Sequence, residues 1–367
     1  MYKRQTAAWA AGTDVSALPE FSEGADTSTI QKFKISSADS LEALATAVKE
    51  NDGKGAYNLK GFTFYLANDI ELSDTWTPIS NVTYPADAFA GTFDGNGHTI
   101  SGLNGSNGLF GFVNGATIKN LKVEGTISGT SANVGGIVGK TQGKVTITNC
   151  SFTGSVSTSK SGSSNAAGGI VGRVNAGTLK VENCANHATV TAEKASAAGI
   201  IGYGGSNKVT ITNCYNDGAI SGQWYPSGIC AQNTKGTSKI QECFNSGSIR
   251  KTNDGTYCAG ISANFKGEAT NCYRTEPSSD SFDSNNNKGI SLSLPWEAGG
   301  TPAEKNPRIV ISGGSTLQMT DSGEKPHTTL TVAYKDMDET PAVTWSASND
   351  CVTLTAPDNA SAADNIR

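Results

Sequence analysis

The sequence predicts an all-β protein built on a parallel β-helix, and three observations carry the prediction. A short paragraph of about 30 residues is written six times between Gly108 and Tyr273. Five cysteines, Cys150, Cys184, Cys214, Cys243 and Cys272, recur in step with it, at gaps of 34, 30, 29 and 29 residues. Each copy alternates β-branched and polar residues between glycines, in a chain with 43 glycines among 367 residues and 17% charged residues. Helical repeats do not tolerate that glycine content, and propeller blades need four antiparallel strands and about 40 residues each. Three short strands per copy, with glycine corners, predict a coil in which each strand pairs with its counterpart one turn on.

The elements follow in order. Residues 1–34 show no period and predict a poorly ordered lead-in. Residues 35–105 predict a cap on the first end of the coil, containing one helix. Ser37 and Asp39 are candidate N-caps, with Glu42 three residues after Asp39. Leu41, Leu44, Ala45 and Val48 then fall on one helical face, and Gly53 and Gly55 stop it. Strands are expected at Phe62–Leu66 and Ile70–Leu72, and again in FAGTFDGNGHTISGL, which turns at Asn96. Residues 106–290 predict the coil itself. Its copies begin GLFGF, GGIVG, GGIVG, AGIIG, SGICA and AGISA, and each except the first then leads to an Asn-Cys or Glu-Cys pair. Residues 291–306 read as a linker. RIVIS, TLQM, TTLTVAY, AVTWSAS and CVTLTA, in residues 307–367, predict a partial immunoglobulin-like β-sandwich carrying Trp345, shorter than the ~100 residues that fold uses. A fragment of a longer protein is expected.

A coil of this kind stacks like on like. Asn149, Asn183, Asn213 and Asn271, with Asn120 before them, predict an amide ladder at a bend, broken once by Glu242. The five cysteines predict a row of buried thiols serving as small apolar fillers. Neighbouring Cα atoms roughly 4.8 Å apart leave adjacent disulfides open, although five is an odd number. Tyr215, Phe244 and Tyr273 follow the cysteines directly and predict a third structural row.

The GGIVG segments, together with FDGNGHTISGL ahead of them, resemble the bacterial GLUG-motif repeat family over roughly residues 35–275. The fifth and sixth copies, SGICA and AGISA, depart from its pattern. Such repeats occur in large surface and secreted proteins, some of them adhesins, and others accompany immunoglobulin-A-cleaving metallopeptidases. The resemblance implies an extracellular or cell-surface setting. It implies no ligand, cofactor or catalytic set. AVTWSASND followed by CVTLTA looks like a bacterial immunoglobulin-like domain cut short.

Chemistry is sparse. Net charge is −5 with no Lys/Arg block, which argues against nucleic acid. No apolar run reaches membrane-spanning length, and MYKRQTAAWAAG has no signal-peptide core. A zinc-peptidase motif needs two histidines one helical turn apart, whereas His98, His187 and His327 stand alone. No G-x-S-x-G elbow is present. The cysteine ladder lacks the close pairs of a metal cluster, and DSFDSNNN, with Asp280 and Asp283, lacks calcium-loop spacing. Glu124, Glu182, Asp217, Glu242 and Asp254 fall at different places in their copies, so no carboxylate pair is expected to converge. Interrupted Thr-x-Thr pairs argue against ice binding. The chain is therefore expected to be non-enzymatic, with no catalytic residue, metal or cofactor. Trp224, Tyr225, Tyr203 and Tyr257 are the candidate ligand-binding residues, since aromatic rings in loops suit stacking on sugars or docking on a protein. The expected partner is a host or environmental glycan or protein surface. A carbohydrate-active β-helix enzyme and a structural spacer are the competing readings.

Overall fold

The computed structural model describes residues 12–49, 51–252, 258–270, 272–274, 308–312, 330–335 and 363–366. The chain divides into two units, residues 1–303 and 304–367.

The first unit is a parallel coil. Nine strands stack in register in its first column: Lys32–Ile35, Thr63–Leu66, Thr92–Asp94 and then residues near 118, 147, 181, 211, 240 and 269. They bound eight turns. Pleat alternation points every second side chain inward, so Phe33, Phe64, Phe93, Ile118, Ile147, Val181, Ile211 and Ile240 form one buried row. Removing each of these from water is worth roughly 1.5–3 kcal/mol.

The coil starts earlier than the six-copy pattern shows. Strands expected to cap it are its first rungs, and they are followed by the same columns as the repeats. The one helix among the described residues, Ala38–Ala47, connects the first two rungs. Ser37 caps it as expected, but Ser40, not Glu42, returns the bond to the cap backbone. Leu41 and Leu44 are buried against the core. Residues 12–34 correct the expected disordered lead-in. Phe21 is buried, its ring centroid 5.1 Å from those of both Phe33 and Phe64. Glu20 pairs with Lys34 as a further bridge. A single anchoring phenylalanine with no earlier copy gives a periodicity search nothing to match.

Each turn has four columns instead of the expected three. Asn120, Asn149, Asn183 and Asn213 adopt φ of 51–54°, and Glu242 φ 54°. That left-handed corner bends the run at Asn-Cys and splits it into two columns. Asn and Gly are the residues that occupy this conformation with least strain. The second column runs through Ile70, Ile100, Val123, Phe152, Asn186, Asn216, Asn245 and Arg274. The third runs through Trp76, Ile127, Val156, Val190, Ile220 and Ile249. The fourth is the GGIVG segment: Phe110, Val138, Val171, Ile201 and Cys230. Cys230 stands where the three preceding copies have Val or Ile, and it is fully buried.

The glycines of GGIVG have a packing cause. A Cβ on Gly136 would strike the Phe152 ring, and on Gly169, Gly199 or Gly228 it would strike the side chains of Asn186, Asn216 or Asn245. The corner and the inward residue of the second column thus meet across the interior.

Of the second unit, three antiparallel strands are described: Arg308–Ser312, Leu330–Lys335 and Ala363–Ile366. RIVIS and most of TTLTVAY match expected strands. TLQM, AVTWSAS with Trp345, and CVTLTA lie outside the described residues.

Candidate functional site

The predicted ladders are present. Asn149 donates to Asn120 at 2.9 Å, Asn183 to Asn149 at 3.0 Å and Asn213 to Asn183 at 2.8 Å. Asn120 donates in turn to Asp94 at 2.9 Å. Asp94 is nearly buried and also bonds the Lys119 ammonium at 3.1 Å, so it terminates the ladder. Asn271 lies outside the described residues.

Cys150, Cys184, Cys214, Cys243 and Cys272 stand in file, buried and with no disulfide between them. Each thiol donates to the carbonyl two residues before it, at 3.2–3.3 Å. Burial pushes the Cys150 and Cys214 thiols well above the ordinary range and Cys230 up to about 12. These are fillers, not nucleophiles. Tyr215 stacks on Phe244 with centroids 5.6 Å apart and planes 4° apart, and burial raises its phenol to about 12.

A second amide ladder escaped sequence reasoning. Asn186 donates to Asn216 at 2.7 Å and Asn216 to Asn245 at 2.6 Å, all three buried. Each also donates to the carbonyl two residues on, at 2.9–3.0 Å. The signal was there: Asn follows the ladder cysteine by two in three successive copies, CAN, CYN and CFN.

Beside this ladder His187 meets Asp217 at 2.9 and 3.0 Å. Ser246 occupies the next rung beyond Asp217 and bonds the Tyr215 hydroxyl at 2.9 Å. It lies two rungs, roughly 9–10 Å, from His187, on the far side of the carboxylate. These three do not form a Ser–His–Asp relay. Among the described residues, no three His, Cys, Asp or Glu side chains are placed to share a metal ion. No described helix is long and apolar enough to cross a membrane.

The outward face of the fourth column is different. Register pairs Phe112 with Lys140, Lys140 with Arg173, and Arg173 with Tyr203. Ile201 pairs with Cys230, so Gln232, two residues on, continues the row. Val82 and Ala88 cover Phe112. The Lys140 ammonium sits 4.8 Å from the Phe112 centroid, and the Arg173 guanidinium 4.7 Å from that of Tyr203. Both cations are half-buried. Neither has a carboxylate partner among the described residues. Burial, and then the charge of Arg173, lowers the Lys140 pKa. One Arg173 amino group donates to the Ser164 carbonyl at 2.7 Å. Its Nε, and the Oε1 of Gln232 beyond Tyr203, are buried without a partner. Buried polar atoms without partners cost about 1–3 kcal/mol each, so they mark a place that a missing group would complete.

Tyr203 is thus the one aromatic candidate in this row. Trp224 pairs with Ser196 on a short parallel segment leading into the fourth column. Ser196 bonds the carbonyl of Ser163, next to the Ser164 that holds Arg173. Tyr225 follows Trp224 at φ 51°. Tyr257 lies outside the described residues. The expected edge of aligned aromatics is replaced by cations stacked on rings. A groove lies elsewhere, along the helix, among Glu20, Glu42, Lys49 and Tyr57, and none of its residues has a buried unpartnered atom.

The GLUG motif family matches residues 130–157, the second copy. No curated protein matches. Among solved structures, a "putative immunoglobulin A1 protease" from Bacteroides ovatus is 23% identical, with a TM-score of 0.54, over 77% of this chain and 85% of that one. A second, named IgA1 protease, is 16% identical over 65% of this chain and 19% of that one. Its TM-score of 0.43 carries no argument. The first neighbour corrects the expectation of a non-enzyme. A chain of this fold bears a protease name, so a missing sequence motif does not place the present chain outside enzymes. At 23% identity the likeness establishes the shared fold alone.

Proposed function

We propose that the chain is a binding module of an extracellular or cell-surface protein, adhesin-like, which holds a glycan or protein surface against the Lys140–Arg173–Tyr203–Gln232 row. The observation that carries this reading is the pair of stacked, half-buried cations with no counter-charge among the described residues, beside a ring and two buried unpartnered atoms. Such groups are costly to maintain in a fold that does not use them. The rigid coil supplies the preorganisation that binding needs, and the GLUG resemblance supports the extracellular setting. Residues 307–367 would serve as an immunoglobulin-like stalk.

A glycan array probed with wild type, Tyr203→Ala and Trp224→Ala tests the proposal. The expected result is binding that weakens at least about tenfold in Tyr203→Ala, and less in Trp224→Ala. Wild-type binding to nothing, or binding that both variants retain in full, would favour a spacer.

A further inference from the structure

Resting on that reading of the row, we infer that its ligand is an acidic polysaccharide lying along the coil axis, with carboxylates taken by Arg173 and Lys140. The two cations occupy the same slot on successive rungs, about 4.8 Å apart. A chain laid along the axis would meet one side chain per rung. That step is comparable with one sugar ring of a polymer, so successive acidic residues could reach both cations. Arg173 keeps one amino group unbonded, a donor of fixed direction for a carboxylate. Lys140 adds a point charge one rung away. These charges stand together although the chain as a whole carries −5.

The remaining chemistry favours sugar over peptide. A protein partner wants an apolar core to its interface. The exposed large apolar side chains among the described residues are Tyr57 and Tyr84, and neither is on this row. Phe112, the row's apolar member, is already covered by Val82 and Ala88. What the row offers is the Tyr203 ring, a surface for the C–H face of a pyranose, and the Gln232 carboxamide, an acceptor for a hydroxyl.

Titration calorimetry with the full chain tests this. The probes are polygalacturonate, hyaluronate and polysialic acid, fully methyl-esterified polygalacturonate, and poly-glutamate as an acidic peptide. At least one acidic glycan should bind, more weakly as salt rises. Where polygalacturonate is the glycan bound, its ester should bind at least about tenfold more weakly. Arg173→Gln and Lys140→Gln should each weaken acidic-glycan binding by about tenfold or more, with Arg173→Lys between wild type and Arg173→Gln. Circular dichroism melts matching wild type establish that the variants fold. Binding to none of the acidic glycans overturns the inference, as does equal binding of acid and ester, or poly-glutamate binding as tightly with the same residue dependence. If a neutral glycan binds and only Tyr203→Ala loses it, the acidic ligand is wrong while the binding row stands. If no glycan of any kind binds, both fall.

Discussion

Four successive corners of the coil are held by asparagines at φ 51–54°, and the fifth by Glu242 at φ 54°. Glutamate is a poor occupant of that conformation, and it also has no amide to offer Asn213. Glu242→Asn should remove the strain and add one ladder bond, raising stability by about 1 kcal/mol in urea titrations. A loss of stability would contradict the ladder's role. The inner ladder makes the opposite prediction. Asn216→Ala strips a partner from both Asn186 and Asn245 in the interior, and should cost about 3 kcal/mol by the same measurement. The buried thiols predict a pH dependence. Burial holds the Cys150, Cys214 and Cys230 thiols above the ordinary 9.0, with Cys230 at about 12. Their contribution is complete below about pH 9 and is lost as pH rises towards 12, because the unfolded chain ionises first. Each such thiol should cost about 1.4 kcal/mol per pH unit in that window. Cys230→Val, which restores the residue of earlier copies, should make the urea midpoint fall less between about pH 8 and about pH 11 than in wild type. An equal fall in both would remove Cys230 from the explanation.

At the scale of elements, loops are tied by single side chains. Asp87, buried, accepts the backbone N–H groups of Asn51 and Gly53 at 2.8 and 2.9 Å through one oxygen, and that of Gly55 at 2.6 Å through the other. Burial pushes its pKa up, but the three N–H donors win and hold it below the ordinary aspartate value. A depressed carboxylate contributes stability above its unfolded pKa, and that contribution is lost as pH falls through the folded value. Asp87→Asn should therefore melt lower than wild type near neutral pH, and the gap should shrink below about pH 4. A gap independent of pH would contradict the charged latch. The helix start at Ser37 was legible because capping is local chemistry. The loop latch was not, since Asp87 and Gly55 are neighbours only once the coil has formed. The extra column was hidden for a related reason: the run ITNCSF keeps its alternation in sequence while the left-handed Asn149 turns it.

The whole coil was legible because stacking repeats the same residue at the same place, and its first turns were not, because Phe33, Phe64 and Phe93 sit in segments that otherwise share little. The site lies between these cases. Tyr203 was visible as a loop aromatic, whereas Lys140 and Arg173 look like ordinary surface cations in separate copies. Written in register, GGIVGK, GGIVGR and AGIIGY place all three in one slot, and the coil converts that slot into a row. The claim on which the site depends is this register. In Lys140→Cys/Arg173→Cys the two Cα atoms should stand about 4.8 Å apart, within disulfide range, whereas in Lys140→Cys/Tyr203→Cys they should stand beyond the ~7 Å limit. After mild oxidation, peptide mass spectrometry should find the cross-link in the first pair and not in the second. A cross-link in the second pair alone, or in neither, would contradict the stacked row.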